Sequence, residues 1–386
     1  MREGWEQNVF SNVFDLQMGK TPDRKSPEMF EGDNVWVTIS DLNDKYVSES
    51  KEHISDDAAS KIKIVKKGTV IMSFKLSVGK TAIASKDLYT NEAIMAFNVN
   101  EGYNINNNFL YYYLSGYNWE GGNRAVMGMT LNKATISKQI IFIPPLPTQQ
   151  SIVSELDSLS KIIADCKETL KDYDALEQSI FYDMFGDPVK NDKGWEVKKL
   201  GEICTFKNGV NFSKNDKGTQ YKFIGVSDFQ DKKEIQAREL DSILIEEKIS
   251  EEYYLKDGDI VFVRSNGSKS LVGRNVLVHI QDEVVIFSGF CIRARLHDKQ
   301  MTPLFLLHIL KSDGIKSQIS NSGRGCNISN LNQKILDSIN IIAPPLPLQQ
   351  SFATKIEAIE QMKAETKEAL QEAETLFQAR MDYWFG

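Results

Sequence analysis

One phrase occurs twice in this chain, and each copy precedes a long stretch with a regular apolar period. PPLPTQQS occupies residues 144–151 and PPLPLQQS occupies residues 344–351. The match extends to the ends of the repeated segment, because FG at 185–186 is matched by FG at 385–386 and GWE at 4–6 by GWE at 194–196. Because the repeated residues mark both the beginning and the end of each copy, the chain is predicted to contain two related structural units. A chain of 386 residues is long enough for two or three domains with cores of their own.

Each phrase leads into a segment whose apolar residues follow a heptad. Their spacing alternates between four and three residues, which is typical of a helix that pairs along one seam. The predicted seam positions are Ile152, Leu156, Leu159, Ile163 and Leu170 in the first copy and Phe352, Ile356, Ile359, Leu370 and Leu376 in the second. The first stripe continues less regularly through Leu176, Ile180 and Met184.

Neither heptad segment contains glycine or proline before its final glycine, so each is predicted to form one helix. A helix of about 37 residues would be roughly 55 Å long. Because a helix with one apolar stripe needs a partner, the two are expected to pair antiparallel, with one domain at each end. Packing of each helix on its own domain is the alternative. Lys363 and Thr366 interrupt the second stripe, which predicts looser pairing there or a face turned toward another protein.

The regions before the two phrases alternate short strand-like runs with turns, and each holds a helical stretch, at 106–117 and 302–311. This mixture predicts the α+β class. The expected architecture is two α/β domains joined by two long antiparallel helices in a coiled coil, as a pseudo-twofold repeat. The predicted segments are residues 1–146 and 187–346 for the domains and residues 147–186 and 347–386 for the helices.

Charge is distributed unevenly along the chain. The net charge is −7, yet residues 147–186 hold three basic and eight acidic side chains and residues 347–386 hold four and seven. The rest is close to neutral and can carry the basic patches that a nucleic-acid binder needs. No apolar run is long enough to span a bilayer and no signal peptide is recognisable, which predicts a cytoplasmic protein. The cysteines are scattered without a CxxC pair and are expected to be free thiols: Cys166, Cys204, Cys291 and Cys326.

The sequence carries no complete catalytic motif. VGKT at 78–81 resembles the end of a phosphate-binding loop, but Phe74 stands where that loop needs a glycine. A tight turn between two strands is predicted there instead. The four histidines lack metal-binding spacing, and Asp187 with Glu196 and Lys198 matches a nuclease arrangement only faintly. A chain without catalytic activity is therefore expected. A nuclease or methyltransferase with a degenerate site is the alternative.

Basic and small polar residues gather on glycine-rich loops at matching points of the two units. Lysine suits phosphates, arginine suits guanine edges and asparagine suits adenine edges. The candidate DNA contacts are Lys20, Thr21, Lys75, Lys80, Arg124, Asn132 and Lys133 in the first unit and Arg264, Asn266, Lys269, Arg274, Arg324, Asn327 and Asn330 in the second. A coiled-coil scaffold that does not touch DNA is the second alternative.

The GW start, the PPLPxQQ phrase before a long helix, the FG end and the twofold repetition resemble the specificity subunits of Type I restriction-modification systems. The resemblance covers essentially the whole chain. It implies that each domain is a target-recognition domain for one half of a split, asymmetric site in double-stranded DNA, with the helices setting the spacing. It also implies two methyltransferase subunits and additional restriction subunits as partners. Those partners would hold S-adenosylmethionine, ATP and Mg, while this chain would hold no cofactor or metal and catalyse nothing.

Overall fold

The computed structural model describes residues 2–119, 123–125, 128–211, 217–230, 232–268, 270–281, 283–321 and 331–386. These residues fold into two compact units of α+β structure, as predicted. Unit 1 contains Met1–Glu168 and Lys367–Gly386, and unit 2 contains Thr169–Thr366. Each long helix contributes one part to each unit. The four predicted segments separate the domains from the long helices, whereas the two units each include parts of both helices. The boundaries of the four segments therefore stay a prediction.

Unit 1 is built on three small sheets. In its described part the strands are β1 (Glu6–Val9), β2 (Phe14–Met18), β3 (Asn34–Val37), β4 (Tyr46–Val47), β5 (His53–Ile54), β6 (Val70–Ser73), β7 (Thr81–Ala84), β8 (Tyr89–Thr90), β9 (Ile94–Val99), β10 (Asn123–Ala125), β11 (Gly128–Thr130) and β12 (Ile140–Ile143). The sheet orders are β2-β9-β6-β7-β4, β5-β3-β8 and β1-β12, beside a β10-β11 hairpin. The helices that begin in this unit are α1 (Phe10–Val13), α2 (Asp56–Ser60), α3 (Asn107–Gly116), α4 (Lys133–Ser137) and the long α5 (Leu146–Phe185).

Unit 2 repeats this plan. Its described strands are β13 (Glu196–Lys199), β14 (Cys204–Asn208), β15 (Thr219–Ile224), β16 (Glu234–Gln236), β17 (Ser242–Ile245), β18 (Ile260–Val263), β19 (Asn275–His279), β20 (Val285–Phe287), β21 (Cys291–Leu296) and β22 (Asn340–Ala343). The sheet orders β14-β21-β18-β19-β16, β17-β15-β20 and β13-β22 match those of unit 1 strand for strand. The helices that begin here are α6 (Leu200–Ile203), α7 (Pro303–Lys311), α8 (Asp313–Asn321), α9 (Gln333–Asp337) and the long α10 (Leu346–Phe385).

The central strands explain the apolar runs in the sequence. All four residues of β6 and all four of β18 are buried, because each sheet is covered on both faces. Val70 and Met72 face one apolar cluster while Ile71 faces another. A strand covered on both faces does not alternate between apolar and polar residues, so its sequence is a continuous hydrophobic run.

The predicted helices at 106–117 and 302–311 are confirmed as α3 and α7. Asn106 caps α3 by accepting a hydrogen bond from the main-chain N of Asn108 at 2.8 Å. Thr302 caps α7 through the main-chain N of Phe305 at 3.3 Å, and Pro303 follows at the first helical position. Both features favour helix initiation. The apolar face of each of these two helices is buried, and the end of one long helix packs against it.

The repeated phrase fastens each long helix to its domain. The Gln149 side chain is fully buried; it accepts from the main-chain N of Asn106 at 2.8 Å and donates to the carbonyls of Asn104 at 3.1 Å and Pro144 at 2.9 Å. Gln349 is buried in the same way, with Thr302 as its donor at 2.9 Å and Pro344 as an acceptor at 2.8 Å. The first glutamine of PPLPxQQ is therefore a link between the helix start and the loop that precedes α3 or α7.

The repeated FG at the end of each long helix also has a packing role. Phe185 is fully buried, and its ring centre lies 4.6 Å from that of Phe305 in α7. Phe385 lies 5.8 Å from Phe109 in α3. Each aromatic ring thus closes the core beneath the corresponding domain helix.

Antiparallel segments of the long helices pair inside each unit. In unit 1, Lys167 binds Glu374 at 2.7 Å, and Glu155, earlier in α5, bonds to Arg380, later in α10, at 3.1 Å. The numbering therefore rises along one helix while it falls along the other. Within unit 2, Phe181 packs on Phe352 with ring centres 5.8 Å apart.

Burial of the predicted seam positions decreases along each helix. Ile152, Leu156 and Leu159 are buried, as are Phe352, Ile356 and Ile359, whereas Ile163, Leu170 and Leu370 are half-buried. The prediction for Leu376 is wrong, because its side chain is 50 % exposed and Ala373 is buried instead. Leu176 is likewise 43 % exposed, and the neighbouring Glu177 lies inside. An α-helix turns every 3.6 residues, so its inward face drifts away from a strict 3.5-residue heptad.

Lys363 does not loosen the helix pair, nor does it face outward, which corrects both expectations for it. Its side chain is buried and forms an ion pair with the buried Glu177 of α5. Its Nζ also lies 2.7 Å from Asp174 and 3.1 Å from Glu360. Lys233, which precedes β16, binds the second oxygen of Glu177 at 2.5 Å. Lys363, which interrupts the apolar stripe, thus belongs to an internal ion-pair network.

Candidate nucleic-acid interface

Two basic turns occupy equivalent positions in the two units. Residues 74–80 connect β6 to β7 and form the first basic loop; residues 264–274 connect β18 to β19 and form the second. Gly79 and Gly273 have φ values of +92° and +85°, which favour glycine at the turn. The VGKT motif is thereby confirmed as a tight turn, because the strand β7 follows it where a phosphate-binding loop would be followed by a helix.

A matching hydrogen bond fastens a glycine-rich segment to each basic loop. The main-chain N of Leu131 donates to the carbonyl of Phe74 at 2.9 Å, and that of Leu331 donates to the carbonyl of Arg264 at 2.7 Å. These bonds place the end of segment 121–133 beside the first basic loop and the end of segment 321–332 beside the second. The structure therefore brings together, in both units, loops that the sequence predicted as DNA contacts.

Lys20 and Thr21 follow β2 at a point of close backbone approach. A Cβ on Gly19 would lie 2.2 Å from the carbonyl oxygen of Thr90, so the chain can pass there only as glycine. The Lys20 carbonyl accepts a hydrogen bond from the indole of Trp36 at 3.1 Å, and the Lys20 side chain is exposed. Thr21 donates its hydroxyl hydrogen to Glu92.

Lys75 and Lys80 lie on the first basic loop, and Lys80 is exposed. Lys75 acts on Glu92, the carboxylate that accepts from Thr21. Burial raises the pKa of Glu92, but the hydrogen bond from Thr21 and the charges of Lys75 and Arg24 together bring it below its ordinary value. Thr21 and Lys75 thus both favour the charged form of Glu92, whereas Lys80 is exposed.

The remaining candidates of unit 1 follow the glycine-rich segment. Arg124 lies in β10. Asn132 caps α4 by accepting from the main-chain N of Thr135 at 2.8 Å, which gives its oxygen a structural use. The ammonium of Lys133 donates to the carbonyl of Leu16 in β2.

Three candidates of unit 2 belong to the second basic loop as described. Arg264 is half-buried and donates to the carbonyl of Gly289 at 3.4 Å. Asn266 accepts from the main-chain N of Ser268 at 2.9 Å. Arg274 donates to the carbonyls of Gln230 and, at 3.4 Å, Ser270. The other four candidates lie outside the described residues: Lys269, Arg324, Asn327 and Asn330.

The structure adds three lysines that the sequence did not single out. Lys232, Lys311 and Lys316 join Arg274 around a pocket of about 410 Å³, named here the lysine-rich pocket. They come from the segment before β16, the end of α7 and the middle of α8. Two of the three stand five residues apart in KSDGIK at 311–316, a basic pair that could have drawn attention in the sequence. Their convergence with Lys232 depends on the fold.

The faint nuclease arrangement in the sequence does not form a site. Asp187 accepts hydrogen bonds from the main-chain N atoms of Val189 at 2.8 Å and Lys190 at 3.1 Å, so it stabilises a turn. Lys198 instead binds Asp298 at 2.8 Å. Among the residues that the structure describes, no group of histidine, cysteine and carboxylate side chains could hold a metal ion. In the same part of the chain, no helix has the length and apolar character needed to cross a bilayer.

A family model described as Type I restriction modification DNA specificity domain matches residues 2–172 and, a second time, residues 192–375. The chain belongs to this family. It is a Type I specificity subunit with two specificity domains, one for each half of the repeat.

Two relatives illustrate how far the similarity of this specificity subunit extends. The Type I restriction enzyme MjaIX specificity subunit of Methanocaldococcus jannaschii is 23% identical over 385 residues, which covers 92% of this chain and 86% of the relative. The Type I restriction enzyme EcoKI specificity subunit of Escherichia coli is 28% identical over 173 residues, or 43% of this chain and 36% of the relative.

Solved structures support the fold of the specificity subunit. The S subunit of a Type I restriction-modification system from M. genitalium covers 98% of this chain and 95% of its own, with 14% identity and a TM-score of 0.53. A chain from a study of complex assembly and conformational transition of the type I R-M system covers 100% and 98%, with 19% identity and a TM-score of 0.66. At these identities the likeness establishes the architecture.

Proposed function

We propose that this chain selects the DNA site of a Type I restriction-modification complex, with unit 1 reading one half of a split site and unit 2 reading the other. The observation that carries this proposal is the match between the units: identical sheet orders place basic loops and glycine-rich segments at equivalent points. The side chains on those loops differ, because Arg264 of the second basic loop stands where the first basic loop has Phe74. Different side chains read different base edges, so the two half-sites differ and the target is asymmetric.

The repeat also supports two copies of one partner, the methyltransferase subunit. Ile162 and Met362 occupy equivalent positions in the long helices and are 47 % and 38 % exposed. Leu176 and Leu376 are equivalent in the same way and are 43 % and 50 % exposed. Apolar side chains that stay exposed at the same points of both repeats are typical of contact residues for a protein partner. One methyltransferase subunit would bind each repeat, and restriction subunits would join that complex.

The chemistry of the complex would reside in those partners. S-adenosylmethionine would be bound by the methyltransferase subunits, and ATP and Mg would be used by subunits other than this chain. In this proposal the specificity subunit catalyses nothing and works in the cytoplasm, where it supplies the choice of sequence and, through its long helices, the spacing between the half-sites.

Single-molecule sequencing of genomic DNA tests the function directly. Cells that carry this gene with its methyltransferase gene should show adenine methylation at a split, asymmetric motif, and deletion of this gene should abolish the motif. A control strain that lacks the methyltransferase gene should also lack it. Methylation that persists at the same motif after deletion of this gene would contradict the proposal, as would cleavage or methylation by the purified chain alone.

A further inference from the structure

The lysine-rich pocket concentrates positive charge at one place on unit 2. Lys232, Arg274, Lys311 and Lys316 line a cavity of about 410 Å³ beside the apolar side chain of Ile319. Arg274 belongs to the second basic loop, and α8, which carries Lys316 and Ile319, leads into the glycine-rich segment 321–332. The pocket is therefore lined in part by the second basic loop and in part by the helix that precedes segment 321–332.

The internal partners of the three lysines of the pocket leave much of the lysine charge available. Lys232 pairs with Glu239 at 2.9 Å and Lys316 with Asp313 at 3.5 Å, and both are exposed pairs of the kind that contribute at most about 1 kcal/mol. Lys311 donates to the carbonyl of Asn275 at 2.8 Å and forms no ion pair with any residue that the structure describes.

Lys311 has an environment that favours an added anion. Burial, together with the nearby charges of Lys316, Lys233 and Arg274, lowers the pKa of Lys311 to about 8. An anion placed beside it would stabilise the protonated amine and raise its pKa again. Lysine and arginine side chains around a cavity are the groups that bind phosphate in nucleic-acid complexes.

The corresponding positions of unit 1 carry different residues. Lys233 and Lys45 are equivalent, since their carbonyls accept hydrogen bonds from the matching strands β19 and β7; Asp44 therefore stands in the place of Lys232. Counting from the equivalent pair Phe305 and Phe109, Ser115 stands in the place of Lys311. Two of the four cations that line the pocket, Lys232 and Lys311, thus have no basic counterpart in unit 1.

We propose that the lysine-rich pocket binds a phosphodiester of the DNA backbone and positions unit 2 on its half-site. This inference rests on the proposed function and deepens it, because it adds a contact that carries no base specificity to one of the two half-site readers. Such contacts fix the register of a protein on the duplex, while base-edge contacts choose the sequence.

The salt dependence of DNA binding tests the phosphate contact. The complex of the full chain with its methyltransferase subunits is titrated with a fluorescent duplex at several salt concentrations, for the wild type and for Lys316→Gln and the double variant Lys311→Gln with Lys316→Gln. Each phosphate contact contributes about 0.9 to the slope of log K against log salt. Because the pocket holds one phosphodiester, the slope should fall by at most about 1. We expect part of this fall in the single variant and most of it in the double variant, equally for duplexes of any sequence.

Three controls make the result specific. Lys248→Gln removes an exposed lysine of unit 2 that does not line the pocket, and it should leave the slope unchanged. Lys316→Arg keeps the positive charge and should give the wild-type slope. Thermal melting checks that the variants fold; should the double variant unfold, Lys316→Gln decides alone.

Two outcomes would overturn the inference. One is an unchanged slope in a folded Lys316→Gln variant. The other is competition by inorganic phosphate at the pocket without any change in the DNA slope, which would assign the site to a small phosphate ligand. In both cases the wild type would still produce its methylation motif if the proposed function is right, so the two proposals can fail separately.

Discussion

Each copy of the PPLPxQQ phrase contains one buried glutamine that has a structural role. Gln149 and Gln349 each make hydrogen bonds that join a helix start to the loop before a domain helix. A glutamine side chain supplies both an acceptor and donors, which leucine or glutamate could not do at the same place. The adjacent residues Gln150 and Gln350 are exposed, so the two glutamines of the phrase have different roles.

Substitution of the buried glutamine separates these roles. Gln349→Leu would leave the main-chain N of Thr302 and the carbonyl of Pro344 without their partner, and we expect it to lower the free energy of unfolding by at least about 2 kcal/mol. Gln350→Leu, a matched change one residue away at an exposed position, should change it by less than about 0.5 kcal/mol. Urea unfolding of both variants measures the difference. Equal stabilities would show that the buried hydrogen bonds are not needed.

His308 makes the stability of unit 2 depend on pH. Burial in α7, against the ring of Phe352 at 5.0 Å, lowers the pKa of His308 to about 4. The ordinary pKa of about 6.5 applies in the unfolded chain, so the unfolded state binds the proton more readily. The stability that neutral His308 contributes is present above about pH 6.5 and is lost as the pH falls toward 4.

We therefore expect the wild type to lose about 2 kcal/mol of unfolding free energy between pH 7 and pH 5 beyond the loss in His308→Gln. Urea titrations of both proteins at the two pH values provide the comparison. The pH dependence of the His308→Gln variant gives the contribution of all other titrating groups, which is subtracted from that of the wild type. Parallel pH dependences in the two proteins would mean that His308 titrates normally in the fold.

At the level of elements, the ion-pair network fixes how α5 and α10 pair inside unit 2. Glu177 and Lys363 are both buried, and Asp174 and Lys233 complete the network. Burial on its own would lower the pKa of Lys363, but hydrogen bonds with the Asp174 and Glu177 carboxylates raise it above its ordinary value. A slipped helix register would leave these charges buried without partners, which makes the network a determinant of register.

Removal of one charge should be far more damaging than removal of both. Lys363→Leu leaves the buried Glu177 with Lys233 as its remaining cation, and we expect a loss of about 3 kcal/mol of unfolding free energy. Adding Glu177→Leu should recover most of that loss, because two leucines can pack between the helices. Thermal and urea unfolding of the single and double variants measure this coupling. A neutral Lys363→Leu would contradict the assigned role.

The sequence predicted those elements whose signal is local. Periodicity and turn residues located α3, α7, the long helices and the turn at Gly79, because each depends on residues near one another in the chain. It did not predict the ion pair between Glu177 and Lys363, since charged residues count as breaks in an apolar stripe. It also missed the lysine-rich pocket, whose three lysines come from three segments that converge only in the folded unit.

At the level of the whole molecule, the long helices are proposed to set the distance between the half-sites. Seven residues inserted after Glu168 in α5 and seven after Thr366 in α10, where each helix passes from one unit to the other, would keep both units intact. A heptad preserves the face of the helix and adds about 10 Å to its length. We expect both half-sites to stay the same and the unread spacer to lengthen by up to about three base pairs.

Methylation motifs read by single-molecule sequencing reveal the spacer directly. An insertion in α5 alone serves as the control, since it makes the paired helices unequal and should abolish methylation. Full methylation with the original spacer after the double insertion would show that the helices do not act as a ruler.

The division of the chain has a consequence for how the protein is made. Unit 2 is one continuous stretch, whereas unit 1 combines Met1–Glu168 with Lys367–Gly386. During synthesis, residues 1–168 must therefore wait for roughly 200 further residues before Phe385 can cover Phe109 and Tyr113. At about 5–20 residues per second, this interval is about 10–40 s. The part of the protein that leaves the ribosome first is thus the last to be completed, and its exposed aromatic surface is a natural target for chaperones in that interval.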